Sequence, residues 1–461
     1  MSELPAGWAE APVSQLLEVS IGGVWGKEAG IDEIDAVVIR VADFRDDGSI
    51  NFGSAPLRSI TARQLMSREL RLGDILLEKS GGGPTKPVGR VVRMRPASGP
   101  VVPTNFVQLL RPNEEFVDSG FLFWWLWRSH SDGTASEFQR ATTNIRNLRT
   151  QDYLDRRAPL PPLNEQRQIV AAIEEQLSSL DAADASLKAA KRRLGAFRRV
   201  AIVGALDLDS PRVQVGDIAA VDSGPAFKSA HFGGPNDGIR LLRGENIEPG
   251  SLRWRDTRTW PSTMLDGYEH LNVAATDLIL AMDRPVISTG LKLAPVKESD
   301  LPALLVQRVA RIRPTERVTT SFLHVALQLP RFVPHLLGGQ TGTQLPHITL
   351  AGIRSYVVPL PPLEEQRRIV AEVEERLSVI DAMRASIERA ERRSATLRRS
   401  ILERAFRGEL VPQDPSDEPA SVLLDRIRAG RAAAAATSSR SRAPARATPS
   451  NRDNQKGHRT A

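Results

Sequence analysis

The chain has 461 residues, enough for two or more domains with their own cores. Apolar residues make up 41% and charged residues 25%, the ordinary balance of a globular protein; no cysteine is present, which excludes disulfides and thiolate metal sites and fits a reducing cytoplasm. Lysine and arginine outnumber aspartate and glutamate by 62 to 55, a net charge of +7 with a pI near 9.9, so a polyanionic partner is expected, nucleic acid first.

Residues 1–10 carry neither a basic segment nor an apolar run and do not read as a signal peptide. Residues 1–158 read as a first domain, with β-like runs at 36–41, 72–78, 88–95 and 106–110 separated by turn clusters. A basic Gly-rich loop, 79–86, follows the second run. The stretch Gly120-Phe121-Leu122-Phe123-Trp124-Trp125-Leu126-Trp127 is far too short to span a bilayer and reads as a buried helix, so no membrane partner is expected. The pattern is α+β with a mostly antiparallel sheet.

Pro159-Leu160-Pro161-Pro162-Leu163-Asn164-Glu165-Gln166-Arg167 then opens a second segment, 159–205. Prolines fix φ and hold the preceding residue extended, so the cluster predicts a rigid lead-in, with Asn164 as a helix cap. Ile169, Ile173, Leu177, Leu180, Leu187 and Leu194 recur at spacings of three, four and seven, a coiled-coil seam. Residues 206–358 repeat the order of the first domain: Leu241-Leu242-Arg243 answers Val38-Ile39-Arg40, and Thr276-Asp277-Leu278-Ile279 answers Gly73-Asp74-Ile75-Leu76. Residues 359–412 repeat the proline motif and its helix, with Pro359-Leu360-Pro361-Pro362-Leu363-Glu364-Glu365-Gln366-Arg367 and a stripe of Ile369, Val373, Leu377, Ile380, Ile387 and Ile401. The offset is 200 residues, far beyond a solenoid repeat, so the duplicated unit is a domain plus a helix. The first helix delivers the chain into the second domain and the second helix begins where that domain ends. Mutual burial of the stripes therefore makes the pair antiparallel. The fold class expected is α+β: two duplicated α+β domains separated by a pair of long antiparallel coiled-coil helices, with pseudo-two-fold symmetry. Residues 413–461 hold a short helix, 420–428, and beyond Gly430 an Ala, Ser, Arg and Pro tail expected to be structureless.

No catalytic constellation stands. Gly22-Gly23-Val24-Trp25-Gly26-Lys27-Glu28 is one residue short of a P-loop and lacks its Ser or Thr. Asp74, Glu78 and Lys79 hint at a nuclease metal site, but the second domain lacks the glutamate and lysine, and a strand end is the better reading. The seven histidines show no ligand spacing. No cofactor is expected.

The doubled Pro-Leu-Pro-Pro-Leu-x-Glu-Gln-Arg motif, each copy opening a long helix after an α+β domain, together with Arg407-Gly408-Glu409-Leu410-Val411-Pro412, resembles the specificity subunit of type I restriction-modification systems. The resemblance covers about residues 10–430. It implies a cytoplasmic, non-catalytic subunit in which two target-recognition domains, 1–158 and 206–358, each read half of a split double-stranded DNA sequence. The helices would set the spacing, two adenine-modifying methyltransferase subunits would bind, and motor-nuclease subunits would complete the restriction complex. Polar residues of Gly-rich loops and strand ends are the candidate DNA contacts: Lys79, Lys86 and Arg90 in the first domain, and Lys228, Arg243, Asn246, Arg284, Gln344 and His347 in the second. Glu165, Gln166, Arg167, Glu365, Gln366 and Arg367 are expected at a domain–helix junction or a subunit interface. A self-contained restriction or methyltransferase enzyme with an unrecognised active site, and a coiled-coil adaptor binding protein, are the alternatives.

Overall fold

A computed structural model describes residues 4–83, 87–142, 145–206, 210–234, 237–338 and 348–441. The chain divides into two compact units, Met1–Asp184 with Arg392–Ala461, and Ala185–Glu391.

In the first unit a four-stranded antiparallel sheet runs in the order Leu17–Gly22, Val107–Pro112, Ile75–Glu78, Val91–Arg93. Its central strand is an unbroken apolar run because both faces are covered. Ile75 and Leu77 face the aromatic helix Ser119–Ser131, packing with Phe121, Leu122 and Leu126. Leu76 faces the other way, into a cluster with Ile39, Phe44 and Val101. A three-stranded sheet orders Leu57–Ile60, Ile34–Ile39 and Val101–Pro103. The strands Ala9–Pro12 and Arg157–Leu160 pair antiparallel and tie the domain's two ends together.

The second unit repeats this plan. Its four-stranded sheet runs Ala219–Ser223, Val309–Pro314, Leu278–Ala281, Leu293–Pro295. Its three-stranded sheet runs Thr259–Trp260, Ile239–Leu242, Ala303–Leu305, and Arg212–Gln214 pairs with Val357–Pro359. The fold class is therefore the expected one, two copies of one α+β plan with two long helices. One detail differs from expectation: each three-stranded sheet contains a parallel pair, residues 37–39 with 101–103 and 240–242 with 303–305.

The P-loop-like glycines belong to this plan. A Cβ on Gly23 would lie 2.1 Å from the Pro103 carbonyl oxygen, and one on Gly224 would lie 2.0 Å from that of Leu305. Only glycine lets the chain leaving the four-stranded sheet graze the three-stranded one.

The long helices are Leu163–Ala205 and Leu363–Ala405. Each begins at the leucine of its motif, with Gln166 N–H donating to the Pro162 carbonyl and Gln366 N–H to that of Pro362. Asn164 thus lies in the first turn rather than capping it, because a proline carbonyl already takes the first bond. Instead its amide reaches the Asp417 carboxylate at 3.3 and 3.4 Å. Within each unit a stretch of one long helix runs antiparallel to a stretch of the other. In the first, Arg398 meets Asp181 at 2.6 Å and Asp184 at 2.8 Å, while Ile401, Leu402 and Ala405 join Ile169, Ile173 and Leu177 in the core. In the second, Arg198 meets Asp381 at 3.4 Å, Lys191 meets Glu391 at 3.0 Å, and Ile202 and Ala205 join Ile369 and Val373. The seam varies along its length: Leu177 and Leu194 are buried, Leu180, Leu187, Leu377 and Ile387 are half-buried, and Leu397 is exposed.

The C-terminal helix is longer than expected, Ala420–Ser441. Leu423, Leu424 and Ile427 anchor it in the first unit's core beside Trp8 and Phe406. Its extension past Gly430 follows from the alanine run 432–436, since alanine is the best helix former. Among the described residues no helix is long and apolar enough to cross a membrane.

Candidate nucleic-acid interface

Two clamps, each present in both units, hold the domains in shape. Asp74 starts a central strand, takes the Arg71 N–H at 2.7 Å, and receives Arg111 bidentately at 2.8 and 2.7 Å. Asp277 takes the Ala274 N–H at 2.8 Å and receives Arg313 at 2.6 and 2.7 Å. Both carboxylates are buried, and their hydrogen bonds push the guanidinium pKa values up. Asp74 is thus committed to a structural ion pair. Glu78, also buried, receives Arg90 at 2.9 Å. Among the described residues no cluster of three or more His, Cys, Asp or Glu could hold a metal.

The second clamp lies in the repeated motif. Gln166 and Gln366 are fully buried. Gln166 accepts from the Asp118 N–H at 2.8 Å and donates to the Pro161 and Phe116 carbonyls at 2.9 and 3.4 Å. Gln366 accepts from the Thr319 N–H at 2.9 Å and donates to the Pro361 and Arg317 carbonyls at 2.9 and 3.0 Å. Asp118 and Thr319 are themselves helix caps. Each glutamine thereby locks the start of a long helix to the start of the helix lying on the sheet, a domain–helix junction. Glu165 is buried and accepts from Trp8 Nε1 at 3.0 Å; Glu365 pairs with Arg368 near the surface. Arg167 and Arg367 are exposed, and Arg367 pairs with Glu364.

The loops gather at one edge of each four-stranded sheet. In the first unit this edge holds Gly22, Lys79, Arg90 and Gln108. Lys79 is half-buried, its amine 3.4 Å from Gln108, and burial pushes its pKa down. Arg90 is spent on Glu78 and the Val41 carbonyl. In the second unit the same edge holds Asp283, Arg284 and Arg308. Arg284 is exposed, with φ 45°, in the left-handed region that non-glycine residues rarely occupy. Arg308, φ 62°, pairs with Asp283 at 2.8 Å. Lys228 is exposed on the loop after Ala219–Ser223. Arg243 begins a turn and pairs with Glu245. Asn246 is 1% exposed, and its amide is used inside the turn, accepting from Arg243 N–H at 3.0 Å and donating to the Arg253 carbonyl at 3.1 Å. Asp43 closes the equivalent turn on Arg40. Lys86, Gln344 and His347 lie outside the described residues.

Sequence reading missed a polar ribbon at the first unit's loop edge. Strands Gln139–Thr142 and Ile145–Leu148 form a hairpin, and Ser80–Gly82 adds a third strand. Arg140 stands opposite Asn147, and Asn147 opposite Ser80, whose hydroxyl donates to the Asn147 side chain at 2.5 Å. The ribbon's base is anchored: Leu148 lies in the core and Gln139 donates to the Val88 carbonyl at 2.9 Å. It left no period-two signal: neither Gln139-Arg140-Ala141-Thr142 nor Ile145-Arg146-Asn147-Leu148 alternates apolar with polar residues.

A duplicated α+β scaffold with matching clamps and divergent loops defines the class, a protein of two like α+β units and two long helices. Residues 212–393 match the family described as the type I restriction modification DNA specificity domain. The chain is 24% identical over 463 residues to the type I restriction enzyme EcoKI specificity subunit of Escherichia coli K12, covering 94% of this chain and 97% of that one. It is 33% identical over 194 residues to the EcoAI specificity subunit of Escherichia coli, covering 42% of this chain but only 32% of that relative's length. The fold is shared with a chain solved in work on complex assembly and conformational transition of the type I R-M system, with a TM-score of 0.71, 18% identity, and coverage of 89% of this chain and 100% of that one. The chain is thus similar over most of its length to a specificity subunit of a type I restriction enzyme, and its residues 212–393 match the DNA specificity domain of that kind.

Proposed function

We propose that this chain reads a bipartite double-stranded DNA target, one half with the domain 1–158 and the other with 206–358. The long helices, 159–205 and 359–412 with their lead-ins, fix the spacing of the half-sites. One observation carries the reading: the two domains keep the same strand orders and clamps but differ at the same loop edge, as two readers of different sequences require. The hairpin of Gln139–Thr142 and Ile145–Leu148, with Ser80 beside it, offers polar groups to the major groove, where every base pair shows its own donor and acceptor pattern. The row Arg140, Asn147 and Ser80 supplies such groups in the first domain. In the second, exposed Arg284 holds a costly backbone conformation, which is typical of functional positions. Lys228 and Lys79 neutralise phosphates. A 43-residue helix is about 65 Å long, so each added turn shifts a head by about 5.4 Å.

The chain directs adenine methylation by two partner methyltransferase subunits in the cytoplasm, and restriction by motor-nuclease subunits, without catalytic groups or a cofactor of its own. The test is co-expression with a methyltransferase subunit of the same system, followed by mapping of methylated adenines. A split motif methylated only when both chains are present is expected. Methylation by this chain alone would mean a self-contained enzyme and end the proposal.

A further inference from the structure

The two units also differ at a half-buried place outside the loops assigned above to DNA reading. The caps Asp118 and Thr319, each bonded to its glutamine, align the helices Ser119–Ser131 and Thr320–Ala326, so Phe123 corresponds to His324 and Trp127 to Gln328. In the first unit Phe123 is a plug. It stacks edge-on with Trp124 at 4.9 Å, lies under the Arg93 guanidinium at 5.7 Å, and presses on the turn at Gly48, where an added Cβ would sit 2.5 Å from its ring. In the second unit the plug is missing. His324 and Gln328 instead line a cavity of about 690 Å³ that reaches the corresponding turn at Gly250. Its floor is apolar, with Ile202, Leu291 and Leu293.

Charge changes at the same place. In the first unit Arg398 is neutralised by Asp181 and Asp184. In the second, Arg198 has Asp381, but Arg384 occupies the position of Asp184, 200 residues on. The rim therefore carries Arg198, Arg199 and Arg384 against Asp381 and Glu248, and Glu248 is already paired with Arg253 at 2.7 Å. Arg384 has no acidic partner among the described residues. Burial pushes the His324 imidazole down to about 4, so it stays neutral, with Gln328 Nε2 3.4 Å from its Nε2.

We propose that this cavity binds an organic phosphate of nucleotide size. The phosphate lies on the three arginines, and the planar group lies over the apolar floor beside His324 and Gln328. Guanidinium groups match phosphate oxygens in pairs, and the volume lies within the range of small-ligand sites. A duplex backbone would touch the rim without entering.

Isothermal titration calorimetry of the full chain with ADP, and separately with inorganic pyrophosphate, tests this. ADP should bind the wild type more tightly than pyrophosphate. Arg384→Asp should weaken ADP at least tenfold. His324→Phe, which restores the first unit's plug, should remove detectable binding while the thermal transition is retained. No ADP binding at millimolar concentration overturns the proposal, as does unchanged binding in both variants. Equal affinity for pyrophosphate overturns the organic part. Weaker duplex binding by Arg384→Asp without any ADP heat assigns the arginines to a DNA backbone instead. None of these readouts depends on sequence-specific DNA reading, so the two proposals fail separately.

Discussion

Gln166 and Gln366 stand 200 residues apart and make matching hydrogen bonds, whereas Glu165 and Glu365, their neighbours in the same motif, do different things. Glu165 is buried against the Trp8 indole; Glu365 pairs with Arg368 near the surface. The cause is a residue difference ahead of each unit's first strand. Val13 and Val215 occupy the same place, each donating its N–H to the chain entering the closing strand, at Arg156 and Tyr356. Five residues earlier the first domain has Trp8 and the second has Ser210. A repeated motif thus has a part that serves the shared scaffold and a part that serves one copy. Positions used identically in both units are scaffold, and those that diverge are where each unit has its own task.

The largest expected effect lies in the ion-pair clamp. Asp74→Ala leaves Arg111 partly buried without its partner and should cost about 3–5 kcal/mol. Asp277→Ala should cost less, because the Arg313 side chain is 41% exposed against 13% for Arg111, and water can solvate the orphaned charge. Denaturant unfolding of both variants measures the difference; equal losses would break the argument from exposure. Next come Gln166→Leu and Gln366→Leu. Each strands a buried N–H and two carbonyls, at about 2–4 kcal/mol. Hydrogen exchange should rise in the unit that carries the substitution and not in the other.

The aromatic-to-histidine change gives a third effect, specific to the second unit. The folded-state pKa of His324 is about 4, below its ordinary 6.5. The unfolded chain therefore binds a proton that the folded chain refuses as pH falls from 6.5 to about 4, and stability is lost across that window. The loss should approach roughly 2–3 kcal/mol. His324→Phe should flatten this part of the stability profile, read as Tm against pH; a profile unchanged by the substitution would show that His324 is not the titrating group.

The helices and the duplication were legible in sequence because their signals are local: a proline cluster, a three-four-seven stripe, and an offset held over many residues. The sheets were legible as strands but not as pairings, since the parallel contact of 37–39 with 101–103 joins segments some sixty residues apart. The same distance hid the clamps. Nothing near Asp74 announces Arg111, and Gln166 looks like a surface residue of a helix until its partners at 116 and 118 are in place. Asn246 has the chemistry of a base reader, but that chemistry is used to close a turn, as Asp43 does in the other unit. Loop readers are hardest, because an exposed arginine in sequence looks the same whether it pairs with a neighbour, as Arg308 does with Asp283, or waits for DNA.

The smallest effect tests the motif's divergent position directly. Glu165 Oε2 accepts from Trp8, but its buried Oε1 has no partner, and burial pushes the carboxyl pKa up, with Asp417 adding to the shift. A carboxylate whose folded pKa lies above its unfolded value contributes stability below the unfolded pKa, which is lost as pH rises through the folded one. At neutral pH the first unit therefore carries a cost that the second does not. Glu165→Gln keeps an acceptor for Trp8 and removes both the buried charge and its repulsion from Asp417. It should raise stability at pH 7 by up to about 1 kcal/mol and do nothing near pH 4. Glu365→Gln should be neutral or slightly destabilising, because it loses a near-surface pair with Arg368, worth about 0–1 kcal/mol. Opposite signs at these two equivalent positions, read from denaturation midpoints at pH 7, would show that the repeat preserves the motif while burial decides what its glutamate does. A loss of stability in both would mean that the Trp8 bond needs the full charge of Glu165.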